Sequence, residues 1–326
     1  MAEEKQSCPS FKTMIGGQAL IEGIMMRGPS KQSIVVRKPD GELEVKTEEL
    51  QLVKEKHPIL GVPFIRGSVN FIDSMVKGVK ALMYSAEFYP EDEEEADEEP
   101  SKLDAWLTDK LGSEKTASVF IGLAVAVGLV FSIVLFMLVP TALGGAFMTV
   151  FPSTPFWVRH LFEGVVRIAI FIGYLAFCSR TKDIKRVFSY HGAEHKTIFC
   201  YERGLELTVE NVRDMPRHHP RCGTSFLFVV IIVAILLYSV LFSIITPPNI
   251  VVRMLLQVAM LPIIVGITYE LNRLVGRHDN ALTRFLTKPG LWLQNFTTFE
   301  PDDTMIEVGI EALKQVLPDQ KGADIW

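Results

Sequence analysis

Residues Ala117 to Val139 read ASVFIGLAVAVGLVFSIVLFMLV, 23 positions in a row without a charge. About 20 apolar residues, each rising about 1.5 Å in a helix, cross a hydrocarbon core of roughly 30 Å. A buried helix of a large soluble protein is the competing reading, but the run is too long and too pure for it. This one stretch sets the fold class, and three more spans follow from it. Leu161 to Cys178 is apolar except for Glu163 and Arg167, and Ser225 to Ile245 carries no charge. Ile250 to Leu271 has Arg253 near its start, Pro262 inside and Glu270 at its end. Pro262 predicts a kink in the fourth span.

The 326-residue chain is 48% hydrophobic and 22% charged with a mean hydropathy of +0.26, which excludes a disordered chain. Four cysteines in this length exclude a disulfide-stapled secreted scaffold, and the formal charge of −5 gives no support to nucleic-acid binding. That negative balance comes from one segment. Glu91 to Glu99 (EDEEEADEE) holds eight acids in nine positions and reads as a solvated, self-repelling linker; without it the chain is slightly basic.

Lys and Arg placement orients the spans. The connection 179–224 carries Arg180, Lys182, Lys185, Arg186, Lys196, Arg203, Arg213, Arg217 and Arg221, whereas the other two connections carry almost none. Both termini and this connection are therefore expected on the cytoplasmic side. MAEEKQSCPS has none of the marks of a cleaved signal peptide, and cysteines on a reducing side are expected to stay unpaired.

The expected organisation has four parts. Residues 1–86 form a small cytoplasmic α+β domain, and 87–116 an acidic linker with a pre-membrane helix. Residues 117–275 form a four-span membrane domain containing the connection 179–224, and 276–326 a cytoplasmic tail. SIVVRKPDGELEV predicts two strands around Pro39-Asp40-Gly41, and Glu48 to Lys56 a short helix. Asn70 to Phe88 predicts a helix whose stripe of Phe71, Met75, Val79 and Leu82 packs on a core or lies on a membrane surface.

The connection contains Tyr190-His191-Gly192-Ala193-Glu194-His195-Lys196. On a helix, residues four apart share a face, so His191 and His195 can present imidazoles to one metal ion, with Glu194 beside them as a general base. This is the H-x-x-E-H order of inverted zincins. Gly192 works against the helix the motif needs. The candidate metal ligands are His191, His195, His219 and Glu270, with zinc the expected divalent ion; His218 and Cys222 are alternatives for the third position. Glu22, Arg27, Arg66, Cys222 and Arg273 are further candidate site residues. Glu22 and Arg27 lie in the glycine-rich segment GGQALIEGIMMRGP, where the glycines suit tight turns and close backbone approach. Within the second span, Glu163 and Arg167 stand four apart and are expected to neutralise each other.

Together, GGQALIEGIMMRGP, GVPFIRGSVNFIDSM, YHGAEHKTI, HPRCGTSFLF and YELNRL resemble the YqhQ-like family of bacterial multi-pass membrane proteins, over about Gly16 to Gly290. That family is a domain of unknown function that carries the label of a predicted metal-dependent enzyme. The resemblance implies a bacterial inner-membrane protein and, by the label, metal dependence. Two functions stay open: a membrane-embedded metal-dependent hydrolase, or a non-enzymatic accessory factor that binds a membrane protein complex such as insertion or envelope-assembly machinery.

Overall fold

The computed structural model describes residues 11–50, 58–89, 113–278, 280–320 and 322–325. The acidic run Glu91–Glu99, Cys8 and most of the expected helix 48–56 lie outside these residues. The described chain divides into two compact units.

The first unit is built on a four-stranded antiparallel meander: β1 (Gly16–Leu20), β2 (Gly23–Arg27), β3 (Lys31–Arg37) and β4 (Leu43–Glu49). The β3–β4 hairpin turns at Pro39-Asp40-Gly41 as the sequence predicts, with Gly41 at φ +88°. Glu48 and Glu49 correct the expected helix start, because they end β4 opposite Gln32 and Lys31. The β1–β2 hairpin has no turn signal. Its two-residue loop is Ile21-Glu22, and Glu22 sits at φ +49°, a conformation usually left to Gly or Asn.

The runs IMM in β2 and IVV in β3 are near-continuous because both faces of the sheet are covered. Ile24, Met26 and Val35 point to one face, against Ala193 and Ile198 of α5 (Lys182–Glu202) and Val308 and Leu313 of α10 (Asp303–Val316). Leu20, Met25, Ile34 and Val36 point to the other, against Ala81 of α1 (Ile65–Ala86). Each such side chain contributes roughly 1.5–3 kcal/mol of burial. The tail is therefore no appendage: α10, capped by Asp302, is half of one core. Parts of the three pieces that the sequence places outside the apolar spans share a single unit.

Helix α1 forms where predicted, but its stripe does not face a core. Met75, Val79 and Leu82 are exposed, and the buried positions are Gly67, Gly78, Ala81 and Ser85. Small residues let the helix approach its neighbours closely: a Cβ on Gly67 would lie 2.6 Å from that of Tyr269.

Four helices are long and apolar enough to cross a membrane: Gly122–Val150, Trp157–Cys178, Gly223–Ile244 and Ile250–Arg277. The first comprises α2 (Ser113–Ile133), a π turn (Val134–Leu138) and α3 (Val139–Val150). It ends at Val150 rather than Val139. Pro140 does not stop it, since Pro suits the first turn after the π segment. Pro140 has no N–H to offer the Phe136 carbonyl, and Arg167 of α4 (Phe156–Cys178) donates to that oxygen at 2.9 Å. Arg167 is thus engaged there rather than on Glu163, whose partners are Arg159 at 2.9 Å and Arg253 at 2.5 Å. The remaining spans are α7 (Gly223–Ile244) and α8 (Ile250–Arg277); α6 (Val209–Arg213) precedes α7, and α9 (Ala281–Thr297) follows α8.

Candidate metal centre

Helix α5 carries the H-x-x-E-H segment through the middle of the first unit, so His195 and Glu194 are buried and His191 half-buried. Gly192 is needed despite its low helix propensity. A Cβ there would stand 2.0 Å from the Phe299 carbonyl oxygen, so only glycine lets the segment after α9 lie against α5.

That close approach orients His191. Its Nδ1 is 2.7 Å from the Thr297 carbonyl and its Nε2 is 3.2 Å from Cys222 Sγ. His195 Nδ1 is 2.5 Å from the Arg217 carbonyl. A carbonyl can only accept, so both imidazoles are assigned as Nδ1–H donors, which leaves Nε2 on each as the lone-pair atom. One ligand atom each from His191, His195 and Cys222 lies within 4.8 Å of the others. The rings of His191 and His195 are 4.3 Å apart.

Glu194 reaches the same face from the other side. The backbone N–H of Gly17 donates to its Oε1 at 2.9 Å, while Oε2 is buried with no hydrogen-bond partner among the described residues. Gly17 fits only without a side chain, since a Cβ would be 2.5 Å from the Met25 carbonyl oxygen, with the Glu194 carboxyl carbon 3.1 Å away. The glycine-rich N-terminal segment thus packs directly on the H-x-x-E-H helix. Burial pushes the Glu194 carboxyl above its usual range, against the opposing pull of His191 and His195. Burial would lower His191, but the Cys222 sulfur and the Glu194 carboxylate outweigh it and raise the imidazole to about 9. Burial would likewise raise the Cys222 thiol, yet the two histidines hold it well below its ordinary range.

The other candidates are placed elsewhere. His219 pairs through Nε2 with Glu202 at 3.5 Å, and burial lowers it to about 4. Its ring is 5.6 Å from that of His195, next to the three-residue group rather than in it. Glu270 is taken by Arg66 in a two-pronged pair at 2.7 and 2.5 Å. Arg27 pairs with Asp73 of α1 at 3.1 Å, and Arg273 lies half-buried on α8. Glu22 accepts from Arg186 and, at 3.1 Å, from Tyr190, one position before His191. These contacts hold the Glu22 backbone in its left-handed conformation.

Sequence reasoning missed Thr297, Arg217 and Gln294. The first two act through backbone carbonyls, which no residue type announces. Gln294 is fully buried and clamps the loop before Cys222 by accepting from the His219 N–H at 2.7 Å and donating to its carbonyl at 2.8 Å.

The donor set is two imidazoles and a thiolate, which suits zinc. Around a tetrahedral zinc, with bonds of about 2.0 Å to nitrogen and 2.3 Å to sulfur, N and S stand about 3.5 Å apart. The 3.2 Å between His191 Nε2 and Cys222 Sγ is close to that spacing. Among the described residues, these three side chains are the group that could hold a metal ion.

The model of the family described as "Protein of unknown function (DUF1385)" matches residues 62–319. The "Uncharacterized protein YqhQ" of Bacillus subtilis (strain 168) is 35% identical over 311 residues, covering 93% of this chain and 92% of that protein. No solved structure matches the chain. A family model spanning most of the chain and a relative of this identity along nearly its full length agree: the chain belongs to the DUF1385 family of YqhQ-like proteins.

Proposed function

We propose that His191, His195 and Cys222 hold one divalent ion, zinc by their donor set, and that the chain is a membrane-embedded metal-dependent hydrolase. Its site would lie at the cytoplasmic face of a bacterial inner membrane. The observation that carries this reading is the pair of carbonyl anchors. Thr297 and Arg217 accept from both Nδ1–H groups, so both Nε2 atoms are turned toward the Cys222 side, the way backbone carbonyls orient metal-binding histidines. A zinc ion there supplies Lewis acidity toward a carbonyl or phosphoryl oxygen. Glu194 has the properties of a general base: Gly17 steadies Oε1, Oε2 has no partner among the described residues, and burial raises its proton affinity. Gly192 and Gln294 hold the ligand-bearing segments together.

Metal analysis of the detergent-purified full chain tests this. About one zinc per chain is expected in the parent, and near none in His191→Ala/His195→Ala. Glu194→Gln should keep its zinc but fail to complement a chromosomal deletion. Equal, near-zero metal in the parent and the double variant would remove the hydrolase reading.

The accessory reading is favoured by a different observation, the open face of α1. Ile72, Met75, Val76, Val79 and Met83 are all at least 40% exposed along one helix. Such a face suits a bilayer surface or a membrane partner. A partner that co-purifies stoichiometrically, and is lost on Met75→Ser/Val79→Ser, would favour it.

A further inference from the structure

The second unit contains a buried ionic cluster that the zinc reading does not use. Glu163 of α4 is its carboxylate, held by Arg159 at 2.9 Å on Oε1 and by Arg253 at 2.5 Å on Oε2. His160 Nδ1 stands 3.4 Å from Arg253 Nη2. Two guanidiniums face one carboxylate, so the cluster carries a net positive charge. Burying such a charge within apolar spans is costly, which marks the position as functional by default.

Beside the cluster lies a cavity of about 580 Å³, within the roughly 300–1,000 Å³ usual for small-molecule sites. Three of its lining residues, Thr141, His160 and Arg253, each carry a buried polar atom that has no hydrogen-bond partner among the described residues: Oγ1, Nε2 and Nε. All three residues are less than 10% exposed. Arg253 Nε–H can only donate. His160 Nδ1 is assigned as the acceptor of the Arg253 contact, so Nε2 carries the proton and also donates. The Thr141 hydroxyl can donate as well. Both Glu163 oxygens are already bonded, so the cavity offers donors and positive charge against no free carboxylate oxygen. Trp157, Phe242 and Ile250 supply an apolar wall to the same cavity.

We propose that this cavity binds a phosphate-bearing anion, either the headgroup of an anionic phospholipid or free phosphate. A phosphate has enough acceptor oxygens to take all three unmatched donors together with Arg159, which a single carboxylate does less well. The apolar wall suits an acyl chain entering beside the headgroup, and Trp157, half open at the end of its span, is of the type that sits at a membrane interface.

The test uses the full chain in dodecyl maltoside, probed by native mass spectrometry and thermal unfolding. The probes are dioleoyl-phosphatidylglycerol, dioleoyl-phosphatidylcholine and inorganic phosphate. One phosphatidylglycerol per chain is expected, held roughly tenfold more tightly than phosphatidylcholine. Displacement by millimolar phosphate would identify a free-anion site, and resistance to it a lipid site. Arg253→Gln should abolish binding but loosens Glu163. Arg159→Gln, which leaves the Arg253–Glu163 pair intact, is therefore the second variant and should weaken binding several-fold. Equal affinity for the two lipids with no phosphate binding overturns the proposal. So does binding of phosphatidylglycerol or phosphate that neither variant changes.

Discussion

Two of the buried polar clusters among the described residues are made of similar residue types, and they are opposite in what they leave unsatisfied. Around α5, two histidines spend their N–H groups on backbone carbonyls, so lone pairs remain, and Glu194 adds an unpartnered acceptor oxygen. Around Glu163, both carboxylate oxygens are occupied and the unpartnered atoms include the Nε–H of Arg253 and the Nε2 of His160. The first cluster is complementary to a cation and the second to an anion. Histidine and glutamate occur in both, so residue type alone does not tell a site's ligand. The hydrogen bonds already made decide which atoms are left for one.

The largest expected effect tests the second cluster. Arg253→Ala removes a partner from a buried carboxylate and is expected to cost about 3–5 kcal/mol, read from thermal unfolding in detergent. Adding Glu163→Gln should restore a large part of that loss. If His191→Ala in metal-stripped protein costs more than Arg253→Ala, the contrast between a preformed ion cluster and a site completed by its ligand breaks.

Gly192→Ala comes next. The new Cβ meets the Phe299 carbonyl, so the segment that orients His191 must move, at about 1–3 kcal/mol. Zinc affinity, measured by chelator competition, should fall roughly 10–100-fold, the usual effect of losing an orienting partner. Unchanged affinity would mean the Thr297 anchor is irrelevant to the metal.

A smaller effect concerns Glu202, whose neighbours include the loop before Cys222. Burial would raise its carboxyl, but His219, Arg221 and the Thr13 N–H together hold it below the usual carboxylate range. A depressed carboxylate stabilises the fold above its unfolded value. That contribution is lost as pH falls from about 4.5 through the lowered value. Glu202→Gln should therefore flatten the acid limb of stability and leave its neutral region less affected. An unchanged acid limb would show that the pairing is not linked to folding. The smallest effect is at Thr141→Val, expected within about 1 kcal/mol of the parent or slightly stabilising, since the hydroxyl has no partner in the described structure. A large loss there would mean that the hydroxyl holds the fold rather than a ligand.

Much of the fold was legible because it rests on local pattern. The four apolar runs and the Pro39-Asp40-Gly41 hairpin follow from hydropathy and turn chemistry alone. The β1–β2 hairpin was not legible, because its turn uses Glu22 at positive φ and Arg186 and Tyr190, 164 and 168 positions later, hold it there. The stripe of α1 was left open between a core and a membrane surface for a related reason: amphipathic spacing shows that a helix has an apolar face but not what covers it. In the site, i and i+4 spacing brought out His191 and His195. The choice among His218, His219, Cys222 and Glu270 needed to know that Arg66 takes Glu270 and Glu202 takes His219.

The sequence by itself determined the spans, the helix that carries H-x-x-E-H, and the family, because each depends on composition or on spacing within a few turns. Only the tertiary structure decided which side chain joins the two histidines, which histidine nitrogens meet a carbonyl, and the sign of each cluster. These depend on backbone carbonyls and ion partners brought from distant segments, and a carbonyl at Thr297 or Arg217 looks in sequence like any other.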